Sequence, residues 1–229
     1  MEKIQKKQEQ AFKEGTDYQF ATKKIELGPW TSFSLLNDPI HMCFVLSRYK
    51  FCAKMLKGKK RILEIGCGDA FGIPIAAQNA EYILGIDVDD RLIEDNKIRL
   101  EELCKRGNIE FRKMNICEEY PNEKFDAAFS IDVIEHLDEN LDNPFMENTC
   151  SALKNNGVCI VGTPNITARK YATKRSAVQH INLKSHKTLK ELMGKYFKNV
   201  FMFSMNDEVV HTGYEKMAHY IFGVGTGKK

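Results

Sequence analysis

Two carboxylates and a glycine turn carry the plainest chemistry in this chain. Glu64 stands two residues before Gly66, Gly68 comes two residues after it, and Asp87 lies nineteen residues beyond Gly68. Glycines so placed let backbone come close to a ligand and adopt angles closed to other residues. A carboxylate at a strand end can accept two hydrogen bonds from ribose hydroxyls. The set therefore reads as a site for a cofactor that contains a ribose. A dinucleotide fingerprint needs a third glycine at its sixth position, and here that position is Phe71, which obstructs the approach of a pyrophosphate. Glu64 instead suits a cofactor with an ammonium group and no phosphate.

Short apolar runs must position these groups. Arg61–Ile65 ends at Gly66, and residues 82–88 repeat the pattern, as expected of buried parallel strands with a helix between them. Ile109–Lys113 is the third candidate strand. Phe125 opens the fourth, which runs through Ser130 and Ile131 into the helix start Asp132-Val133-Ile134-Glu135-His136-Leu137. Leu153–Pro164, with a turn at 154–157 ahead of Val158, is the fifth. Residues 200–204 and 218–224 read as sixth and seventh strands, and residues 189–197 as the helix before the sixth. This alternation argues for an α/β domain with one continuous sheet.

With these motifs in order over residues 59–165, the chain resembles the class I SAM-dependent methyltransferases, whose first motif is acid, any, Gly, any, Gly and whose second strand ends in an acid. Ala70 departs from the pattern, standing where a further glycine is usual. The resemblance implies a Rossmann-like, mostly parallel sheet of seven strands. Its last strand is antiparallel beside the sixth, helices cover both faces, a lid precedes the sheet, and an insert follows strand five. It implies S-adenosyl-L-methionine as cofactor and S-adenosyl-L-homocysteine as product. The cofactor residues it points to are Glu64, Gly66, Cys67, Gly68, Asp87, Val88, Asn115, Ile116, Ser130, Ile131 and Asp132, with Asn115 on the adenine amino group. A single domain is expected, divided into a helical and lid segment (1–57), a cofactor core (58–165), a substrate insert (166–190) and a sheet-completing part (191–229).

Composition agrees with that frame. The chain has 229 residues, 43% of them hydrophobic, and a net charge of +3, enough for one core and too balanced for a general nucleic-acid binder. No leader pattern or membrane-length apolar run is present, so a cytoplasmic location without a membrane span is expected. The seven cysteines form no Cys-x-x-Cys pair, so neither zinc nor a disulfide framework is indicated, and no metal is expected. A homodimer is the oligomer considered.

Substrate contacts must come from segments added to the core. Residues 18–51 are rich in aromatics and turn formers. Trp30, the only tryptophan, follows Gly28-Pro29 and is placed as part of a lid, with Tyr49 on the helix that leads into the first strand. Residues 165–190 carry Arg169, Lys170, Lys174, Arg175, Lys184, Lys187 and Lys190, and no acid lies between Glu147 and Glu191. Guanidinium and ammonium groups so gathered grip phosphate or carboxylate, so an anionic small molecule is the expected acceptor and Arg169, Lys170 and Arg175 its contacts. Methyl transfer to a hydroxyl requires close positioning and removal of a proton. His180 is the first candidate base, His136 its competitor, and Tyr171 and His211 follow.

Residues 27–51 and 163–185, taken with the core, are similar to small bacterial methyltransferases of surface-polysaccharide or capsule assembly. This implies a phosphorylated or nucleotide-linked sugar, or a phosphate-derived precursor, methylated on oxygen. Three alternatives stay open: a quinone-biosynthesis methyltransferase, a nicotinamide dehydrogenase, and a SAM-binding module without catalysis.

Overall fold

Arg61–Ile65 (β1), Tyr82–Asp87 (β2), Ile109–Lys113 (β3), Phe125–Ile131 (β4) and Leu153–Pro164 (β5) run parallel in the computed structural model. The structure describes residues 2–21, 24–106 and 108–229, without the side chains of residues 2, 18, 21, 79 and 175. Phe197–Asn206 (β6), Val209–His211 (β7) and Tyr220–Lys228 (β8) complete one sheet in the order β3-β2-β1-β4-β5-β8-β6-β7. The mostly parallel Rossmann-like architecture expected from the alternating runs is thus present, with two differences. β8 is antiparallel beside β6 as expected but is wedged between it and β5, antiparallel to both. An eighth strand, β7, folds back on β6 through a tight turn in which Asp207 takes φ 49°, a conformation that Asp tolerates better than most residues.

Helices Glu2–Ala21 (α1), Pro29–Asn37 (α2) and Pro39–Met55 (α3) precede the sheet. Both α2 and α3 begin with proline at the first helical position, where its missing N–H costs nothing. Ile73–Ala76 (α4) is a single turn, so the helix expected between β1 and β2 is cut short. Asp90–Arg99 (α5), Glu101–Lys105 (α6), Asp142–Ala152 (α7), Lys174–Gln179 (α8) and His186–Gly194 (α9) follow. α9 starts three residues before the sequence expectation because Ser185 and Thr188 form a capping box. Residues 154–157 lie inside β5, at an irregularity where the pairing with β4 jumps from Leu153 to Val158.

Strand alternation divides the core between the two faces of the sheet. Leu63 and Ile65 pack with Leu84, Ile86, Phe145 and Met193 on one side. Ile62 packs with Tyr49, Cys52, Ile73 and Phe129 on the other. Glu64 shares the parity of Ile62 and so meets α3, where it accepts a hydrogen bond from the Tyr49 hydroxyl at 2.7 Å. All seven cysteines are free. Among the described residues no helix is long and apolar enough to cross a membrane. The strand order reverses at β1 and β4, and in open α/β sheets the crevice outside the carboxyl ends at such a reversal is where ligands bind.

Candidate functional site

The loop leaving β1 is fixed by its own backbone needs. Gly66 has φ 72° and Gly68 φ 52°. A Cβ at Gly66 would stand 2.2 Å from the Val133 side chain, so only glycine fits. Asp87, at the end of β2, accepts from Gly68 N at 2.9 Å and from Asp89 N at 2.9 Å, and each oxygen keeps a lone pair. Two side chains of α5, not anticipated from sequence, hold the same turn: Asn96 donates to Gly68 O at 2.7 Å and Arg99 to Asp69 O at 2.7 Å. Their spacing of three along one helix face was the available signal. Ala70 takes φ 57°, which explains why the usual residue there is glycine.

α2 docks onto this loop. Asp69 accepts from Thr31 N at 2.7 Å and from the Thr31 hydroxyl at 3.1 Å. Gly28 is forced by the same contact, since a Cβ there would lie 2.4 Å from that of Asp69. The Trp30 ring covers Gly68. A cavity of about 180 Å³ between lid and loop is lined by Trp30, Thr31, Met42, Gly66, Gly68 and Asp132, among others. Glu64 lies beneath, wholly buried, with its second oxygen unpartnered. Burial pushes its carboxyl up to about 8, the Tyr49 hydroxyl opposing and Asp87 adding to the rise.

Beyond β4 a second constellation forms. Asp132 has φ 58° and pairs with Arg48 at 2.5 Å. The Arg48 guanidinium is buried and lies 4.1 Å over the Tyr220 ring. Glu135, in a 3-10 turn over Ile134–His136, is 0% exposed. One of its oxygens accepts from the Thr163 hydroxyl at 2.9 Å, and the other has no partner. Burial first, then Asp132, pushes the Glu135 carboxyl up to about 8. His136 Nδ1 lies 3.1 Å from Gln179 O, and its ring meets that of His180 at 5.1 Å between centroids. His180 is held below the usual imidazole value by burial and then by His136. His180 also lines a cavity of about 520 Å³, together with Arg169, Tyr171, Ser176, Leu183 and His219.

Residues 40–197 match the family model described as a methyltransferase domain. The chain belongs to that methyltransferase family. Its cofactor is S-adenosyl-L-methionine. The methyltransferase is 27% identical over 158 residues to a ubiquinone biosynthesis O-methyltransferase of Rickettsia akari, covering 66% of this chain and 60% of that one. It is 29% identical over 105 residues to a Mycolicibacterium smegmatis protein named "Probable S-adenosylmethionine-dependent methyltransferase", covering 45% and 38%. It therefore spans less than two thirds of the length of each of these curated relatives. Among solved structures, the methyltransferase domain of bacterial CtHen1-C aligns with TM-score 0.67 at 22% identity, covering 80% of this chain and 98% of that one. The N-methyltransferase NodS of Bradyrhizobium japonicum with S-adenosyl-L-homocysteine aligns with TM-score 0.62 at 13% identity, covering 86% and 92%. These last two similarities concern the fold.

The methyltransferase brings together some expected residues and separates others. Cys67 and Ile131 line the smaller cavity, and Ser130 lies buried beside Ile131 with its hydroxyl unpartnered. Val88 is exposed just past Asp87. Asn115 closes a turn, accepting from Cys117 N at 3.1 Å and donating to Glu118 at 2.8 Å. The Ile116 side chain is buried in the core. Trp30 and Tyr49, expected at the acceptor, instead line the smaller cavity, because Asp69 anchors α2 and the Glu64 carboxyl holds Tyr49. Arg169 and Tyr171 line the larger cavity, and Lys170 lies over the Tyr171 ring at 4.7 Å. Arg175 falls on α8, and its side chain lies outside the described residues. Lys184 is buried and paired with Asp142, so it is no part of an exposed basic face. His211 bonds Asn206 at 3.0 Å on the far edge strand. The expectation that no metal is held came from cysteine spacing, and the folded chain gathers Glu135, His136 and His180 instead.

Proposed function

We propose that this methyltransferase methylates an oxygen of an anionic small molecule, a phosphorylated or nucleotide-linked sugar or a phosphate-derived precursor of surface polysaccharide. The observation that carries the reading is the larger cavity, whose lining includes both His180 and Arg169, with the Asp132 charge close enough to act on the His180 imidazole. The cofactor residues fit the group they would hold. Glu64 has an unpartnered buried oxygen for an ammonium, Gly66 and Gly68 present bare backbone with no room for a Cβ, and Asp87 retains lone pairs for ribose hydroxyls.

S-adenosylmethionine supplies a methyl group on a sulfonium, open to displacement by an oxygen in line. In our reading Glu64, Gly66, Cys67 and Gly68 hold the amino-acid end, Asp87 the ribose, and Val88, Asn115 and Ile116 the adenine. Ser130, Ile131 and Asp132 line the path to the acceptor. Trp30 covers the glycine turn and excludes water, which strengthens the polar contacts beneath it. Arg169 and Lys170 hold the anionic part of the acceptor, with Tyr171 against its body. The acceptor's proton leaves toward His180, which His136 positions.

A second reading is methylation of a quinone precursor. It is favoured by the relatives named for ubiquinone biosynthesis and by the apolar lining that Pro164, Ala168, Ala172 and Leu183 give the cavity. Release of S-adenosyl-L-homocysteine should be followed with phosphorylated sugars and with phenolic acceptors. On the first reading Arg169→Ala raises KM for the anionic acceptor at least about tenfold, as expected for losing a charge-assisted contact, and leaves cofactor affinity unchanged. Turnover of phenolic acceptors alone would transfer the assignment to the second reading. Binding without turnover of any acceptor would leave a noncatalytic module.

A further inference from the structure

Glu135, His136 and His180 each offer a ligand atom, and the three atoms lie within 4.8 Å of one another. We propose that they hold a divalent first-row cation whose open positions face the larger cavity. Glu135 is 0% exposed and its Oε1 has no hydrogen-bond partner. A buried carboxylate oxygen left unpaired is costly, and the Asp132 carboxylate nearby adds like charge. A cation removes both costs. His136 is prepared for it: its Nδ1–H donates to the Gln179 carbonyl at 3.1 Å, which leaves the lone pair on Nε2, 4.0 Å from Glu135 Oε1. A backbone carbonyl on the far ring nitrogen is the usual support of a metal-bound histidine, because it fixes tautomer and orientation. His180 closes the set from the other side.

Ligands of one ion stand about 3 to 3.5 Å apart at bond lengths near 2.1 Å, so a contraction of roughly 1 Å completes the site. That is within reach of His180, which lies one residue past the short helix α8. Two imidazole nitrogens and one carboxylate oxygen suit zinc, manganese, iron or cobalt rather than calcium or magnesium. Three protein ligands leave positions for an exogenous oxygen. Since His180 also lines the larger cavity, those positions open where the acceptor is proposed to lie, a role for the ion that rests on the proposed function. The ion would then acidify the acceptor hydroxyl, whose proton passes to water. With the ion bound the two histidines would act as its ligands, which replaces the base role given to His180 above.

The test strips the full chain with a chelator and titrates it with cobalt(II), followed by visible absorption and calorimetry, with zinc(II) as competitor. One ion per chain, displaced by zinc, is expected, and His136→Ala and His180→Ala should each weaken binding at least about tenfold. Unchanged binding of S-adenosyl-L-homocysteine by these variants shows that they fold. No binding, equal binding by the variants, or a thiolate-to-cobalt band marking the free cysteines would overturn the proposal. Acceptor turnover undiminished by the chelator would refute the ion's role while the methyltransferase reading stands. Metal bound without turnover of any acceptor would do the reverse.

Discussion

The rings of His136 and His180 stand 5.1 Å apart at 69°, edge to face, although 44 residues separate them in sequence. Two side chains that compete for one role on paper are therefore neighbours in one device. The link is made by Gln179 O on His136 and by Asn182 N, which donates to Glu135 O at 3.0 Å.

Residues that act as a unit lose function together. His136→Ala and His180→Ala should each lower turnover about a hundredfold, and the double variant should be little worse than either. Initial rates with saturating acceptor measure this. Losses that multiply would show two independent roles.

Asp87 carries the ribose assignment. Asp87→Ala should weaken binding of S-adenosyl-L-homocysteine by roughly 1 to 3 kcal/mol, the range for losing charge-assisted hydrogen bonds. It also frees Gly68 N, so circular dichroism should accompany the calorimetry. Native affinity in a folded variant would remove Asp87 from the site.

Ala70 holds φ 57°, a conformation that costs an L-residue with a Cβ roughly 1 to 2 kcal/mol. Part of the relief on changing to glycine is offset by the freer unfolded chain. Ala70→Gly should therefore stabilise the fold by up to about 1 kcal/mol, read as a higher urea midpoint at constant slope. A lower midpoint would contradict the strain.

The two buried carboxyls make stability fall with alkali. Glu64 and Glu135 are each pushed up to about 8 from 4.5, so the folded chain holds protons that the unfolded chain has released. Their contribution is complete below the unfolded value near 4.5 and is lost as pH rises through about 8. Without ligand, stability should decline by on the order of a few kcal/mol across that window. Glu64→Gln should flatten the slope, as urea unfolding at fixed ionic strength will show. A slope identical to wild type would place the effect elsewhere.

What sequence disclosed and what it hid divide along physical lines. Arg61–Ile65 matches its strand end to end because a buried strand is a short run closed by turn formers, and Ile109–Lys113 does so because an edge strand alternates buried and open residues. Glu64, Gly66, Gly68 and Asp87 were legible because their geometry is local, set by one turn and the strand beside it. The helix after β1 is a single turn, Ile73–Ala76, whose start is marked by Gly72 and Pro74, while nothing local in the sequence marks its early end. The strand β7 went unseen because three residues carry too little pattern. Long-range pairing is what no window of sequence shows. Lys184 looked like part of a basic surface, yet it is buried on Asp142, and Arg48 finds Asp132 from 84 residues away.

The measurement that bears most directly on the central claim is calorimetric titration of the purified chain with S-adenosyl-L-homocysteine and, separately, with NAD. The account predicts micromolar binding of the former and none of the latter, because Phe71 stands where a pyrophosphate-binding turn needs glycine. Binding of NAD, or of neither ligand, would contradict the cofactor site built on Glu64, Gly66, Gly68 and Asp87.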